Sequence, residues 1–164
     1  MGMTLGIVVE RRSTGCGSWE VIPADDLLMH RQFVRLALAS VAPQCPVYSL
    51  AAPSAMAELL RGGWGGEQTC TPLQEGTGLP VDASAACMHE VGALASPDRG
   101  PAGWFTCTRL KNYDWNAGRR ELQDDDSWVP EAFAPALRQE AAHLEATLAS
   151  LGDPASIRVV MFFV

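Results

Sequence analysis

The C-terminal end of the sequence constrains the fold more than any other segment. Every residue of Ile157–Val164 except Arg158 is apolar, and most are β-branched or aromatic. A strand with one face in water alternates apolar and polar residues, whereas a strand covered on both faces is apolar nearly throughout. The sequence therefore predicts that this segment is a central strand of a sheet.

The N-terminal end predicts a β-hairpin. Residues Thr4–Glu10 have the alternation of a strand, and a second apolar group that begins at Trp19 follows a stretch rich in glycine and serine. Two such runs separated by turn-forming residues are typical of a hairpin, whose loop here would carry Cys16.

Helices are predicted from apolar spacing and capping residues. The clearest is Glu131–Leu151, where one stripe is apolar and Gly152 is placed to end the helix. Its apolar positions are Phe133, Leu137, Ala141, Leu144, Leu148 and Leu151. Three shorter helices are expected: from Asp25 or Asp26 to just before Pro43, over Ser54–Leu60, and from Asp82 or Ser84 to about Leu94.

The remaining segments are less regular. Gly62–Gly66 predicts a loop that is either mobile or held by the indole of Trp64, and Ser96–Gly103 predicts a loop rich in proline and glycine. Residues Trp104–Leu110 are compatible with a strand or with a single helical turn, and the sequence does not distinguish the two.

Together these elements predict one α+β domain over residues 1–164. The sheet is antiparallel or mixed and contains both chain ends, and the helices pack on one face of it. A chain of 164 residues is long enough to bury one core of this kind.

Charge and composition exclude several classes of protein. The formal net charge is −7 with only 12 Lys and Arg residues, so no broad nucleic-acid surface is expected. No window has the length of apolar sequence that a membrane span needs, and the first residues do not resemble a signal peptide. The 5 cysteines are widely and irregularly spaced, which is typical of reduced thiols in a cytoplasmic protein.

Neither a metal nor a cofactor is expected. Cys87, His89 and Glu90, with Cys70 and Cys107, could in principle surround zinc, but no tight Cys-x₂-Cys pair is present. The run Asp124–Asp126 lacks the spacing of a calcium loop and is interpreted as a solvated segment before a helix. The Gly62–Gly66 segment lacks the ending of a phosphate-binding loop.

Catalytic residues are not identified by the sequence. A cysteine paired with His30, His89 or His143 would make a nucleophile only if the two side chains met in the fold. Aromatic residues, by contrast, are frequent in the predicted loops, where they either cap the edge of the core or form a binding patch. They are Trp64, Trp104, Tyr113, Trp115 and Trp128.

Short motifs in a fixed order carry a resemblance. They comprise Arg31, Phe33, Leu36 and Ala37; Gly78, Leu79, Pro80, Asp82 and Ser84, then Glu90; Trp104, Phe105, Thr106 and Leu110, then Tyr113, Asp114 and Trp115; and Arg158, Val159, Val160, Phe162 and Phe163. In this order they resemble an uncharacterised family of small tailed-phage and prophage proteins. The resemblance spans most of the chain and implies origin more than activity. Arg99–Gly103 departs from the Gly-His-Ser-x-Ser segment of that family.

Two functional hypotheses follow. The first is a phage or prophage accessory protein of the host cytoplasm that binds a host or phage macromolecule through its Trp-rich loops. Its binding residues would be Trp64, Asp82, Ser84, Trp104, Tyr113, Asp114 and Trp115. The second is a small enzyme that acts on a nucleotide-like or other small ligand in a cleft near Asp82–Glu90 and Trp104–Trp115. Stable oligomers in solution would instead indicate a minor virion or assembly component.

Overall fold

A computed structural model describes residues 5–13, 17–23, 47–48, 53–64, 67–68, 70–114, 141–142 and 144–164. The strands are β1 (Leu5–Arg12), β2 (Trp19–Val21), β3 (Val47–Tyr48), β4 (Gly63–Trp64), β5 (Glu67–Gln68), β6 (Gly76–Thr77), β7 (Gly103–Thr106) and β8 (Ile157–Phe163). The helices are α1 (Pro53–Arg61), α2 (Ala85–Leu94), α3 (Cys107–Lys111) and α4, which includes residues 141–142 and 144–149. Short 3₁₀ helices cover Pro97–Arg99 and Pro154–Ser156. None of the helices in these ranges is long and apolar enough to cross a membrane.

The main sheet is antiparallel and holds strands from both chain ends. Its order is β2-β1-β8-β7-β6, and β3 pairs with the start of β1. Strand β8 lies between β1 and β7, so that Val160 is opposite both Val8 and Trp104. Every residue of β8 is buried. The fold class, the hairpin and the central C-terminal strand are therefore confirmed.

Helices cover both faces of this sheet. Successive strand residues point to opposite faces, so Val159 and Val160 belong to two separate apolar clusters. The larger cluster takes in residues of α1, α3 and α4, whereas the smaller one takes in Cys87 and Val91 of α2. The helices therefore pack on both faces of the sheet, and not on one face as expected from the sequence. Because β8 is apolar on both sides, each side needs a cover.

Local structure follows the capping residues. The Ser84 hydroxyl accepts a hydrogen bond from the Cys87 N–H, which begins α2 where the sequence predicts it. The expected helix Ser54–Leu60 is observed as α1. Residues Trp104–Leu110 contain both expected elements, because the Thr106 hydroxyl caps α3 directly after β7.

Other expectations lie partly outside the described residues. Within the glycine-rich segment, Gly63 and Trp64 form β4, and Trp64 is opposite Glu67 of β5. Residues 141–142 and 144–149 of the long C-terminal helix are helical, and Ala141, Leu144 and Leu148 are buried as its stripe predicts. The part of that helix before residue 141, and the helix expected before Pro43, lie outside the described residues.

Candidate functional site

A buried arginine is the centre of the most polar region of the fold. Arg158 lies on β8 with only 2% of its surface exposed, on the face that α2 covers. Its Nε donates to Glu10 Oε2 at 2.6 Å and its Nη1 donates to Asp82 Oδ1 at 2.6 Å. Its Nη2 donates to the Asp82 carbonyl at 3.1 Å. Arg158 therefore joins the two central strands to the segment before α2.

Glu10 completes this connection from β1. Glu10 is opposite Arg158 in the sheet register and is fully buried. Its second oxygen, Oε1, accepts a hydrogen bond of 2.9 Å from the backbone N–H of Ser84. Ser84 in turn caps α2, so the start of this helix is fixed to the sheet through a charged side chain.

Trp19 closes the group on the side of the hairpin. Its Nε1 donates to Asp82 Oδ2 at 2.9 Å. The Cζ of Arg158 lies 3.9 Å from the indole centroid and that of Arg12 lies 4.9 Å from it, distances at which a cation is attracted by the ring. We call Glu10, Arg12, Trp19, Asp82, Ser84 and Arg158 the Arg158 network.

Electrostatics keep Asp82 ionised. The hydrogen bond from Arg158 is the main cause that lowers the pKa of Asp82, and the bond from Trp19 adds to it, although burial opposes them. Both carboxylate oxygens of Asp82 already accept hydrogen bonds. A carboxylate of this kind is a weak base and carries no proton to donate at neutral pH, so the network suits a structural role better than acid–base chemistry.

The structure brings together only some of the residues predicted for binding. Asp82 and Ser84 belong to the network. Trp104 lies on the same face of the sheet, half-buried against the smaller apolar cluster. Its indole covers Gly76, where a Cβ would lie 2.4 Å from Trp104 Nε1. Trp64 lies on β4.

Tyr113 lies on the opposite face, in the larger cluster. Its hydroxyl donates to the Thr71 carbonyl at 2.6 Å, and burial raises its pKa. Asp114 is exposed beside it, and Trp115 lies outside the described residues. Asp82 and Tyr113 therefore lie on opposite faces of the sheet. The cleft expected near Asp82–Glu90 and Trp104–Trp115 stays a prediction.

Sequence reasoning missed Glu10, Trp19 and Arg158 as members of one group. Each interrupts or borders an apolar strand, and that interruption is the signal that could have identified them. Burial of a charged side chain requires an opposite charge nearby, so a charged residue in each terminal strand suggests a pair. The register that places them opposite each other was not available from the sequence.

Exposed apolar side chains lie on the outer face of α2 and just before this helix. Val81 is fully exposed and Met88 is 50% exposed, and they are the large apolar side chains most accessible in the described residues. We define this outer face as Val81, which precedes α2, and the exposed residues of the helix, which are Ala85, Ala86, Met88, His89, Gly92 and Ala93. The half-exposed carboxylate of Asp82 lies between Val81 and the helix.

The cysteines that might have held zinc are far from a common centre. Cys87 belongs to the smaller apolar cluster and Cys107 to the larger one, on the other side of the sheet. Across the ranges that the structure describes, no three His, Cys, Asp or Glu residues are grouped to hold a metal ion. Burial raises the pKa of the Cys107 thiol, which disfavours a reactive thiolate.

No family model, no curated protein sequence and no solved structure matches this chain.

Proposed function

We propose that this chain is a binding protein that docks another macromolecule on the outer face of α2. The resemblance described above supports a phage or prophage accessory role in the host cytoplasm. The observation that carries the proposal is the exposure of Met88 on α2 and of Val81 just before it, where the Arg158 network fixes the start of the helix. Apolar side chains held on a rigid element are the usual centre of a protein interface.

The hydrogen bonds that Asp82 and Ser84 already make favour binding over catalysis. Asp82 and Ser84 use their side chains to hold α2 in place, and the exposed large side chains beside them, Val81 and Met88, are apolar. An enzyme cleft would need polar groups that are available to a substrate. This arrangement supports the binding hypothesis rather than an enzyme for nucleotide-like ligands.

The tryptophans predicted for binding are the second part of the proposed contact surface, and the structure places Trp64 and Trp104 on strands rather than in loops. Trp104 is half-buried on the face that α2 covers, so its accessible edge can extend the contact. Trp64 and Trp115 remain predicted contact residues. The proposed partner is a protein, because a chain with a net charge of −7 and only 12 Lys and Arg residues is poorly suited to bind phosphates.

Charge insertion tests the proposal. Val81→Asp and Met88→Asp should each abolish recovery of a partner from a bacterial lysate, because an aspartate in an apolar interface must lose its water. Ala142→Asp adds the same charge to an exposed position on α4 and should leave recovery unchanged. The recovered protein is then purified, and its affinity for each variant is measured by calorimetry.

Equal affinity for all variants would exclude the outer face of α2 as the docking surface. Unchanged melting temperatures show that the variants are folded. Dimers of the chain alone that Val81→Asp dissociates would overturn the proposal of a different partner, since the face would then serve self-assembly.

A further inference from the structure

Glu90 is a buried carboxylate at the border of the outer face of α2. Only 6% of its surface is exposed, and within the described ranges its Oε2 accepts no hydrogen bond and its side chain forms no ion pair. Residues three and four positions apart are neighbours on a helix, so Glu90 lies between Ala86 and Ala93. Both alanines are exposed and belong to the outer face. The unpartnered carboxylate is therefore adjacent to the surface on which a partner would dock.

A carboxylate in this position lowers the stability of the isolated protein. A buried polar group without a partner loses its hydrogen bonds to water, and a charged group loses more unless an opposite charge is close. Residues that lower stability in this way are typical of functional surfaces, where a bound partner completes the interaction.

The segment around Glu90 supplies no positive charge. Residues 78–96 contain two carboxylates, Asp82 and Glu90, and no Lys or Arg. Asp82 already pairs with Arg158. The whole chain has a net charge of −7. Charge complementarity therefore favours a partner that brings the positive charge with it.

The outer face of α2 also has the shape that accepts a second helix. Most of its side chains are small, and the distance at which two helices pack depends on the side chains at their contact. A Cβ built on Gly92 would have open space around it, with no contacting atom within 4 Å. Met88, one turn before Gly92, provides a large exposed apolar side chain. An amphipathic helix can therefore place its apolar side on this face.

We propose that the partner presents an amphipathic helix with one Lys or Arg that pairs with Glu90. This inference rests on the proposed function, because it names the chemistry of the macromolecule that docks on the outer face of α2. The apolar side of the partner helix packs over Met88 and Gly92. Its basic side chain extends past the small Ala86 or Ala93 to Glu90 Oε2, since the stem of a Lys or Arg can lie on apolar surface while its charged end reaches a polar group.

A displayed library of helical peptides tests the pairing on the full chain. The library varies the residues of one helix face, and it is selected separately on the wild type and on Glu90→Gln. Peptides that bind the wild type and are lost on Met88→Asp should carry a Lys or Arg at one fixed position of that face. Peptides selected on Glu90→Gln should have no fixed basic residue there.

Affinities then measure the strength of the pair. One selected peptide and its variant with Met at the basic position are titrated by fluorescence anisotropy at one ionic strength. Glu90→Gln should weaken the basic peptide about tenfold, the loss expected for a charge-assisted hydrogen bond, and leave the Met peptide nearly unchanged. Glu20→Gln removes the same charge from an exposed position on β2 and should change either affinity by less than about twofold. Unchanged circular dichroism spectra show that the variants are folded.

The outcomes separate this inference from the proposed function. Selected peptides that depend on Met88 but have no fixed basic residue would overturn the pairing with Glu90 and leave the docking surface in place. Equal weakening of the basic peptide by Glu90→Gln and Glu20→Gln would do the same. If no retained peptide depends on Met88, the inference is also overturned, and the recovery experiment with Val81→Asp decides whether the surface docks a partner of another kind.

Discussion

Gly6 is a glycine because an aromatic ring occupies the place of a side chain. Gly6 is opposite Phe162 in the pairing of β1 with β8. A Cβ built on Gly6 would lie 2.2 Å from Phe162 Cζ, and two further ring atoms would be closer than 3 Å. The ring is fully buried, so it has no free space into which to move.

Gly6→Ala is therefore expected to lower the free energy of unfolding by about 1–3 kcal/mol, the usual range for overpacking a core. Gly92→Ala is the matched control, because Gly92 lies in α2 with no atom within 4 Å of the new methyl group. It should raise the free energy of unfolding by about 1 kcal/mol through helix propensity. Urea denaturation measures both changes. Equal effects of the two variants would contradict the assignment of the ring contact.

Glu90 is the buried residue whose polar group is least well satisfied. It lies on α2 with 6% of its surface exposed, and its Oε2 has no hydrogen-bond partner in the part of the chain that the structure describes. A buried oxygen without a partner loses its bond to water and gains nothing in return.

Glu90→Met keeps most of the side-chain volume and removes that oxygen. The variant should raise the free energy of unfolding by about 1 kcal/mol or more. Glu90→Ala, which leaves a cavity, should not give this gain. Thermal and urea denaturation provide the measurement. A loss of stability in Glu90→Met would show that the carboxyl group has a favourable role in the fold.

At the scale of elements, the Arg158 network connects two strands and a helix. Strands β1 and β8 contribute Glu10 and Arg158, and α2 contributes its capping segment at Asp82 and Ser84. Removal of one member of a buried ion pair leaves the other charged without compensation. Replacement of both by apolar residues removes that penalty.

Arg158→Met alone should lower the free energy of unfolding by about 3–5 kcal/mol. Glu10→Leu combined with Arg158→Met should cost less than the sum of the two single variants, because neither charge is then left buried alone. A double-mutant cycle in urea gives this coupling. Additive losses would mean that the two side chains contribute independently, against the geometry of the pair.

Elements determined by nearby residues could be predicted from the sequence, whereas contacts between residues far apart in the chain could not. The start of α2 follows from Ser84, a local capping residue, and was predicted to within a few residues. The sequence did not distinguish a strand from a helix within Trp104–Leu110. Both are present, because Thr106 is the last residue of β7 and also the capping residue of α3. The pairing of Glu10 with Arg158 is set by strand register, which depends on residues far apart in the chain.

For the whole molecule, composition and the two terminal strands were enough to predict an α+β fold with both ends in one sheet. Apolar residues at every position of Ile157–Phe163 except Arg158 also imply a cover on each face of the sheet, whereas the helices are expected from the sequence on one face. Apolar spacing shows which side of a helix is buried without showing which face of the sheet it meets. Of the Arg158 network, only Asp82 and Ser84 are expected from the sequence as binding residues, because the other members meet through the tertiary fold.

The stability of the whole molecule should depend on pH through Asp82. Its pKa lies below the ordinary value of 3.8 in the folded protein, mainly because of the hydrogen bond from Arg158. The unfolded chain therefore takes up the proton first as the pH falls, so Asp82 contributes stability above pH 3.8 that is lost progressively at lower pH. Asp82→Asn should lower the free energy of unfolding at neutral pH and flatten its decline in acid.

Asp98→Asn, at an exposed position on Pro97–Arg99, is the control and should keep the wild-type profile. Urea denaturation at a series of pH values measures how the free energy of unfolding changes with pH. This slope reports the difference in bound protons between the folded and unfolded chains. Identical slopes in acid for Asp82→Asn and the wild type would therefore disprove the contribution of Asp82 to the pH dependence.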